Sequence, residues 1–107
     1  MLWRAIKRGF RAMKGYWIAH VTVSDPEQYK LYADGAVSAF QKHKARILAR
    51  GGRHAQLEGL GRPRNVVIEF PSFEAAIACY NSSEYQEAKN KRKDAGLADI
   101  VIIEGVE

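Results

Sequence analysis

Tyr16-Trp17-Ile18-Ala19-His20-Val21-Thr22-Val23 is rich in aromatic and β-branched residues, the composition of a strand. Successive strand side chains point to opposite sides. Trp17, Ala19, Val21 and Val23 therefore make one wholly apolar face, and Tyr16, Ile18, His20 and Thr22 a mixed one. Near the other end, Ile100-Val101-Ile102-Ile103 is apolar in both sets. A sheet built from these strands exposes an apolar patch unless both faces are covered, one by helices and one by something else. The economical second cover is another copy of the chain, because a symmetric pair buries two such faces at once.

The segments between these strands decide the topology. Asp25 is a good N-cap, Pro26 fits the first helical position, Glu27 favours the positive end and Gln28 takes the capping-box position. Tyr29, Tyr32, Ala33, Ala36, Val37, Phe40, Ile47 and Leu48 follow at helical spacing, predicting a helix down to Arg50 with Gly51-Gly52 as its stop. Residues 53–58 alternate, Gly59 to Arg64 turns the chain, and Val66-Val67-Ile68-Glu69-Phe70 reads as the second arm of a hairpin. A short helix follows over Phe73–Tyr80 and breaks at Asn81-Ser82. A second runs from Ser83, with Gln86 at the capping-box position, through Lys93 to a stop at Gly96, before a last strand at Ile100–Ile103. The order β-α-β-β-α-β predicts an α+β, ferredoxin-like sandwich: a four-stranded antiparallel sheet with its helices on one face.

The net charge of +5 is unevenly spread. Four of the 17 basic residues, Arg4, Lys7, Arg8 and Arg11, stand in the first twelve positions with no acidic residue, leaving 13 against 12 acidic residues in the remainder. The body is nearly neutral, and no aromatic-basic signature accompanies its lysines and arginines, so no nucleic-acid partner is expected. Residues 1–12 carry Leu2, Trp3, Ile6 and Phe10 along one helical stripe and form a basic amphipathic N-terminal appendage, with residues 13–107 as the single domain. That appendage is suited to a membrane surface or a partner helix, although Met13 directly before the first strand also fits a start site. No apolar run is long enough for a secretory signal or a bilayer span. The one cysteine, Cys79, excludes an intrachain disulfide and, amid Ala76-Ile77-Ala78 and Tyr80, reads as a core thiol; a cytoplasmic setting is the expectation.

Lys14-Gly15-Tyr16-Trp17-Ile18-Ala19, Asp25-Pro26 with Tyr29, Val66 through Ala76, and Tyr80-Asn81-Ser82-Ser83-Glu84-Tyr85 together resemble the family called domain of unknown function 1330. The resemblance spans residues 13–107. It implies a dimeric α+β barrel, a homodimer whose two sheets face each other. Relatives of that architecture include cofactor-free monooxygenases, isomerases, haem-degrading enzymes and ligand-sensing domains. Cys79 stands where the family often has tryptophan, and Ser83 where it often has proline.

If Val66, Ile68 and Phe70 face the helices, Glu69 lies on the opposite face, which it shares with His20. The first and third strands are central neighbours in this topology, so His20 and Glu69 are candidates for an acid-base pair, with a polar network fixing dimer register as the alternative. Arg62 and Arg64, held at a turn by Pro63, are a candidate anion site, with an ordinary solvated turn as the favoured alternative. Tyr80, Asn81 and Tyr85 at the helix break are candidate pocket-lining residues, and Tyr29 and Tyr32 carry the same ambiguity between pocket and core. His20, His43, His54 and Cys79 show no paired ligand spacing, so neither a metal nor a cofactor is expected. Three functional readings follow. The first is a homodimeric barrel that binds a small organic molecule, with His20, Glu69, Arg64 and Tyr85 in or near the pocket and Tyr80 and Asn81 as further candidate ligand contacts. The second is a cofactor-independent oxygenase or isomerase with His20 and Glu69 as acid and base. The third is an interaction protein acting through residues 1–12.

Overall fold

The computed structural model describes residues 13–107, so the N-terminal appendage expected at residues 1–12 lies outside the described residues. Four strands and three helices follow the expected order: β1 (Gly15–Val23), α1 (Pro26–Lys42), β2 (Arg46–Arg50), β3 (Arg64–Phe70), α2 (Phe73–Asn81), α3 (Ser83–Arg92) and β4 (Gly96–Glu104). They form one antiparallel sheet in the order β2-β3-β1-β4, with β1 and β3 at its centre.

The first helix starts at its expected cap and the second at Ser72. The Asp25 carboxylate accepts from the Gln28 amide at 3.1 Å, and Ser72 Oγ accepts from the Ala75 amide at 3.0 Å. At the third helix the cap moves one residue upstream from the sequence expectation: Ser82 Oγ, not Ser83, accepts from the Tyr85 amide at 3.2 Å. Gln86 reaches back to the Tyr80 carbonyl at 2.7 Å.

The expected course between residues 43 and 58 needs correction. The first helix ends at Lys42, not Arg50, because Lys44 adopts φ 59 and the chain closes with Ala45 N donating to Phe40 O at 2.9 Å and Lys44 N to Gln41 O at 3.1 Å. This is the left-handed helix ending that glycine normally supplies, carried here by lysine and so unmarked in the sequence. The freed segment Arg46–Arg50 becomes the edge strand beside β3 and takes the place expected for residues 53–58, which are exposed loop. A hairpin survives with a different first arm. Gly51 N closes it onto Asn65 O at 3.0 Å, and residues 51–63 form its loop.

Alternation on the central strands holds as read. Trp17, Ala19, Val21, Ile68 and Phe70 are buried beneath Tyr32, Ala36, Ala39, Ala76, Cys79, Tyr85 and Ala88 of the helices. Trp17 organises this core, with ring centroids 4.9 Å from Tyr85, 5.4 Å from Phe40 and 6.0 Å from Phe70. Its loss to alanine costs about 3–5 kcal/mol. The outer face is another matter: Leu97, Val101 and Ile103 of β4 are more than half exposed. No helix of the described residues is long and apolar enough to cross a membrane.

Candidate functional site

Between α1 and the inner face of the sheet the packing is incomplete, leaving a cavity of about 70 Å³. Its floor is apolar, with Trp17, Phe40 and Ile68 among the lining residues, and Tyr29 and Tyr32 of α1 form one wall. Three arginines from three elements complete it: Arg50 of β2, Arg64 of β3 and Arg92 of α3. Among the described residues, no acidic residue and no histidine lines it.

Each arginine arrives for a local reason. Arg64 opens β3 opposite Val21 and shares the parity of Val66, Ile68 and Phe70, so it faces the helices. Its guanidinium lies over the Tyr29 ring, 5.7 Å from the centroid, within cation-π range. Its Nε is buried and has no hydrogen-bond partner. Gly51, at φ 64, makes room for the group, since a Cβ there would stand 2.8 Å from Arg64 Nη1.

Arg50 reaches the same side through a β-bulge. Ile47 pairs with Ile68 on the helix face, but the register then slips at Leu48, so Ala49 meets Val67 and Arg50 meets Val66. Regular alternation would have placed Ala49 inward and Arg50 outward; the extra residue exchanges them. Arg92 ends α3, about two turns beyond Tyr85 on the same face of the helix. Its Nη1 donates to Tyr85 Oη at 3.2 Å and its guanidinium sits 4.6 Å from the Tyr32 ring centroid. The Tyr32 and Tyr85 hydroxyls meet at 2.9 Å. Burial, reinforced by the second hydroxyl, pushes the Tyr32 pKa far up, and burial pushes up that of Tyr85, so both stay neutral phenols. Burial works against the Arg92 charge, yet the two tyrosines hold its pKa above the ordinary value.

The residues singled out from sequence divide among three places. Arg64 lines the cavity, and Tyr85 stands behind it through Tyr32 and Arg92. Tyr80 and Asn81 line a separate open groove of about 600 Å³ against β4, where Lys89 Nζ donates to Tyr80 Oη at 3.0 Å. His20 and Glu69 share the outer face of the sheet but do not meet within the chain. The register sets His20 against Asn65 and Glu69 against Tyr16, four residues away along β1, or about 13 Å. Both side chains are otherwise engaged. Asn65 Nδ2 donates to the Arg62 carbonyl, which fixes its amide so that Oδ1 accepts from His20 Nδ1 at 2.6 Å. Tyr16 Oη donates to Glu69 Oε2 at 3.1 Å, and that bond raises the Tyr16 pKa. The two turn arginines also part company: Arg62 Nε is bound to Asp99 at 2.8 Å and its Nη1 to Thr22 Oγ1 at 3.1 Å. Sequence reasoning missed Arg50 and Arg92. Only Arg92 carried a signal, its spacing of seven from Tyr85 on one helix.

Residues 14–106 match the model of the family described as Domain of unknown function (DUF1330). The chain belongs to that family. No curated protein matches its sequence. Solved structures share its fold. A protein of unknown function from Rhodopseudomonas palustris aligns over 99% of this chain and 92% of its own, with a TM-score of 0.69 at 16% identity. SnoaB, a cofactor-independent oxygenase from Streptomyces nogalater, aligns over 90% of this chain and 96% of its own, with a TM-score of 0.64 at 6% identity. A dimeric protein of unknown function with a ferredoxin-like fold, from Bacteroides fragilis, covers 86% of this chain and 96% of its own at a TM-score of 0.51 and 13% identity. These likenesses are of fold, and as an α+β protein of the ferredoxin-like class this DUF1330 chain sits among them.

Proposed function

We propose that this protein is a small-molecule-binding domain whose site is the cavity between α1 and the inner face of the sheet, working as a homodimer closed through the outer face. The observation that carries the binding reading is the cavity itself: an apolar floor with a few polar groups converging on it is the usual build of a small-ligand site. The dimer reading rests on the exposed Leu97, Val101 and Ile103 of the outer face and on the dimeric neighbour of the same fold. Binding is favoured over acid-base catalysis because the described residues of the cavity wall include tyrosines and arginines but no carboxylate or imidazole to act as base.

A thermal-shift screen of small acids, amides and alcohols against the full chain and an Ala33→Leu variant tests the site. Ala33 lines the cavity, so the larger side chain fills it. Compounds that raise the melting temperature of the wild type and not of the variant support the reading. Compounds that act equally on both place the site elsewhere. Light scattering after size exclusion tests the dimer, with a monomer at micromolar concentration counting against it.

A further inference from the structure

We propose that the ligand of this cavity is a short organic carboxylate, held by Arg64 with Arg50 and Arg92 at its sides and with its carbon chain on the Trp17–Phe40–Ile68 floor. This rests on the reading of the cavity as the ligand site and names the chemistry that site selects. Three observations converge on it.

The first is charge without counter-charge. Three arginines line one small cavity, and among the described residues no carboxylate lines it with them. Three long cations elsewhere among the described residues have acidic partners, Arg62 with Asp99, Lys42 with Glu84 and Lys30 with Asp34, and none of the three cavity arginines has one. Among the described residues, Arg92 is occupied by phenol and ring contacts, and Arg64 by a ring alone. Like charges grouped against low-dielectric walls focus a positive potential that an anion relieves.

The second is the buried Arg64 Nε–H, a donor with no acceptor. Buried donors are nearly always paired, and an unpaired one asks for a partner. The guanidinium edge that carries Nε is part of the planar fork that meets a carboxylate with two parallel hydrogen bonds.

The third is that the backbone departs from regularity to assemble this set. The bulge at Leu48 turns Arg50 inward, and Gly51 at positive φ clears the space for the Arg64 guanidinium. Bulges recur beside binding sites because they re-aim one side chain. Two adjacent irregularities serving two of the three arginines point to the site and not to the sheet, whose pairing they interrupt.

Size fixes the rest. About 70 Å³ is roughly half the volume of an apolar cavity that takes benzene, so it encloses the carboxylate and part of a short carbon chain, and the rest of an acid the size of isobutyrate lies in the open side of the cavity. Alanines 33 and 36, both cavity-lining, leave that space on the helix side.

The test is a nitrogen-15 NMR titration of the full chain with isobutyrate, with isobutyramide as the neutral isostere and inorganic phosphate as the anion without a carbon chain, reading backbone amides of the cavity and the Arg64 Nε–H signal. The expected result is saturable binding of isobutyrate with a large Arg64 Nε–H shift, and isobutyramide and phosphate each at least tenfold weaker. Arg64→Gln should weaken isobutyrate by about tenfold to a hundredfold while Arg64→Lys restores part of it, both variants keeping the wild-type amide spectrum away from the cavity. Equal binding of acid and amide overturns the carboxylate assignment and leaves the cavity as a ligand site. Phosphate matching isobutyrate overturns the role of the apolar floor. No response of the cavity amides to any of the three overturns the cavity reading and this inference together.

Discussion

Gly51 leaves the space that the Arg64 guanidinium fills: a Cβ at Gly51 would stand 2.8 Å from Arg64 Nη1, and the backbone there has φ 64. An L side chain in that conformation costs about 1–2 kcal/mol, and the arginine, being the flexible partner, swings away. Gly51→Ala is therefore expected to lower stability by about 1 kcal/mol in urea unfolding and to weaken isobutyrate binding several-fold. A variant that loses stability but binds as before would separate the glycine from the site.

Stability should fall at high pH through the Tyr32–Tyr85 pair. Both phenols have pKa values raised above the ordinary 10.0 by burial, so the folded state holds their protons more tightly than the unfolded chain does. Their contribution is complete below pH 10 and is lost as pH rises above it, by up to about 1.4 kcal/mol per pH unit for each group. Chemical denaturation at a series of pH values should show this slope, and Tyr32→Phe should make it shallower. An unchanged slope in that variant would remove Tyr32 from the explanation.

Gly15 begins β1 between Phe70 and Glu104, and a Cβ on it would lie 2.5 Å from the Ser72 carbonyl oxygen and 2.8 Å from Phe73 Cα. These are backbone atoms at the start of α2 and cannot rotate aside. Gly15→Ala should cost about 1–3 kcal/mol, read from the urea midpoint, by forcing α2 off the sheet edge. A neutral substitution would mean that α2 is free to shift.

Cys79 is fully buried and its thiol pKa is pushed up to about 12 by burial, with Glu84 adding to the effect. Thiolate is the reactive form, so the native protein should resist iodoacetamide at neutral pH and react once unfolded. Labelling at the rate of an exposed cysteine would contradict this burial.

The topology was legible because the central strands announce themselves by strict alternation: Trp17, Ala19, Val21, Ile68 and Phe70 are inward as their parity requires. The edge was not. Ile47 and Leu48 continue the helical spacing of α1, and the turn that removes them from it rests on Lys44 in a conformation lysine seldom adopts. The same limit governed the site. Parity placed Glu69 and His20 on one face, but only register reveals that Tyr16 and Asn65 are their partners. Arg64 was visible in the sequence but read as part of the turn, so the parity it shares with Val66 was not applied to it, while Arg50 depends on a bulge that no local pattern marks. Replacing Glu69 by Gln should accordingly leave isobutyrate binding unchanged, since its contact is with Tyr16 on the far side of the sheet.

The most direct test of the central claim is a crystal structure of the full chain grown with isobutyrate. The account predicts a carboxylate inside the cavity between α1 and the sheet, within hydrogen-bond distance of Arg64 Nε, with the carbon chain toward Trp17 and Phe40. A cavity without ligand, in which a carboxylate from a second copy of the chain already neutralises Arg64, would contradict it.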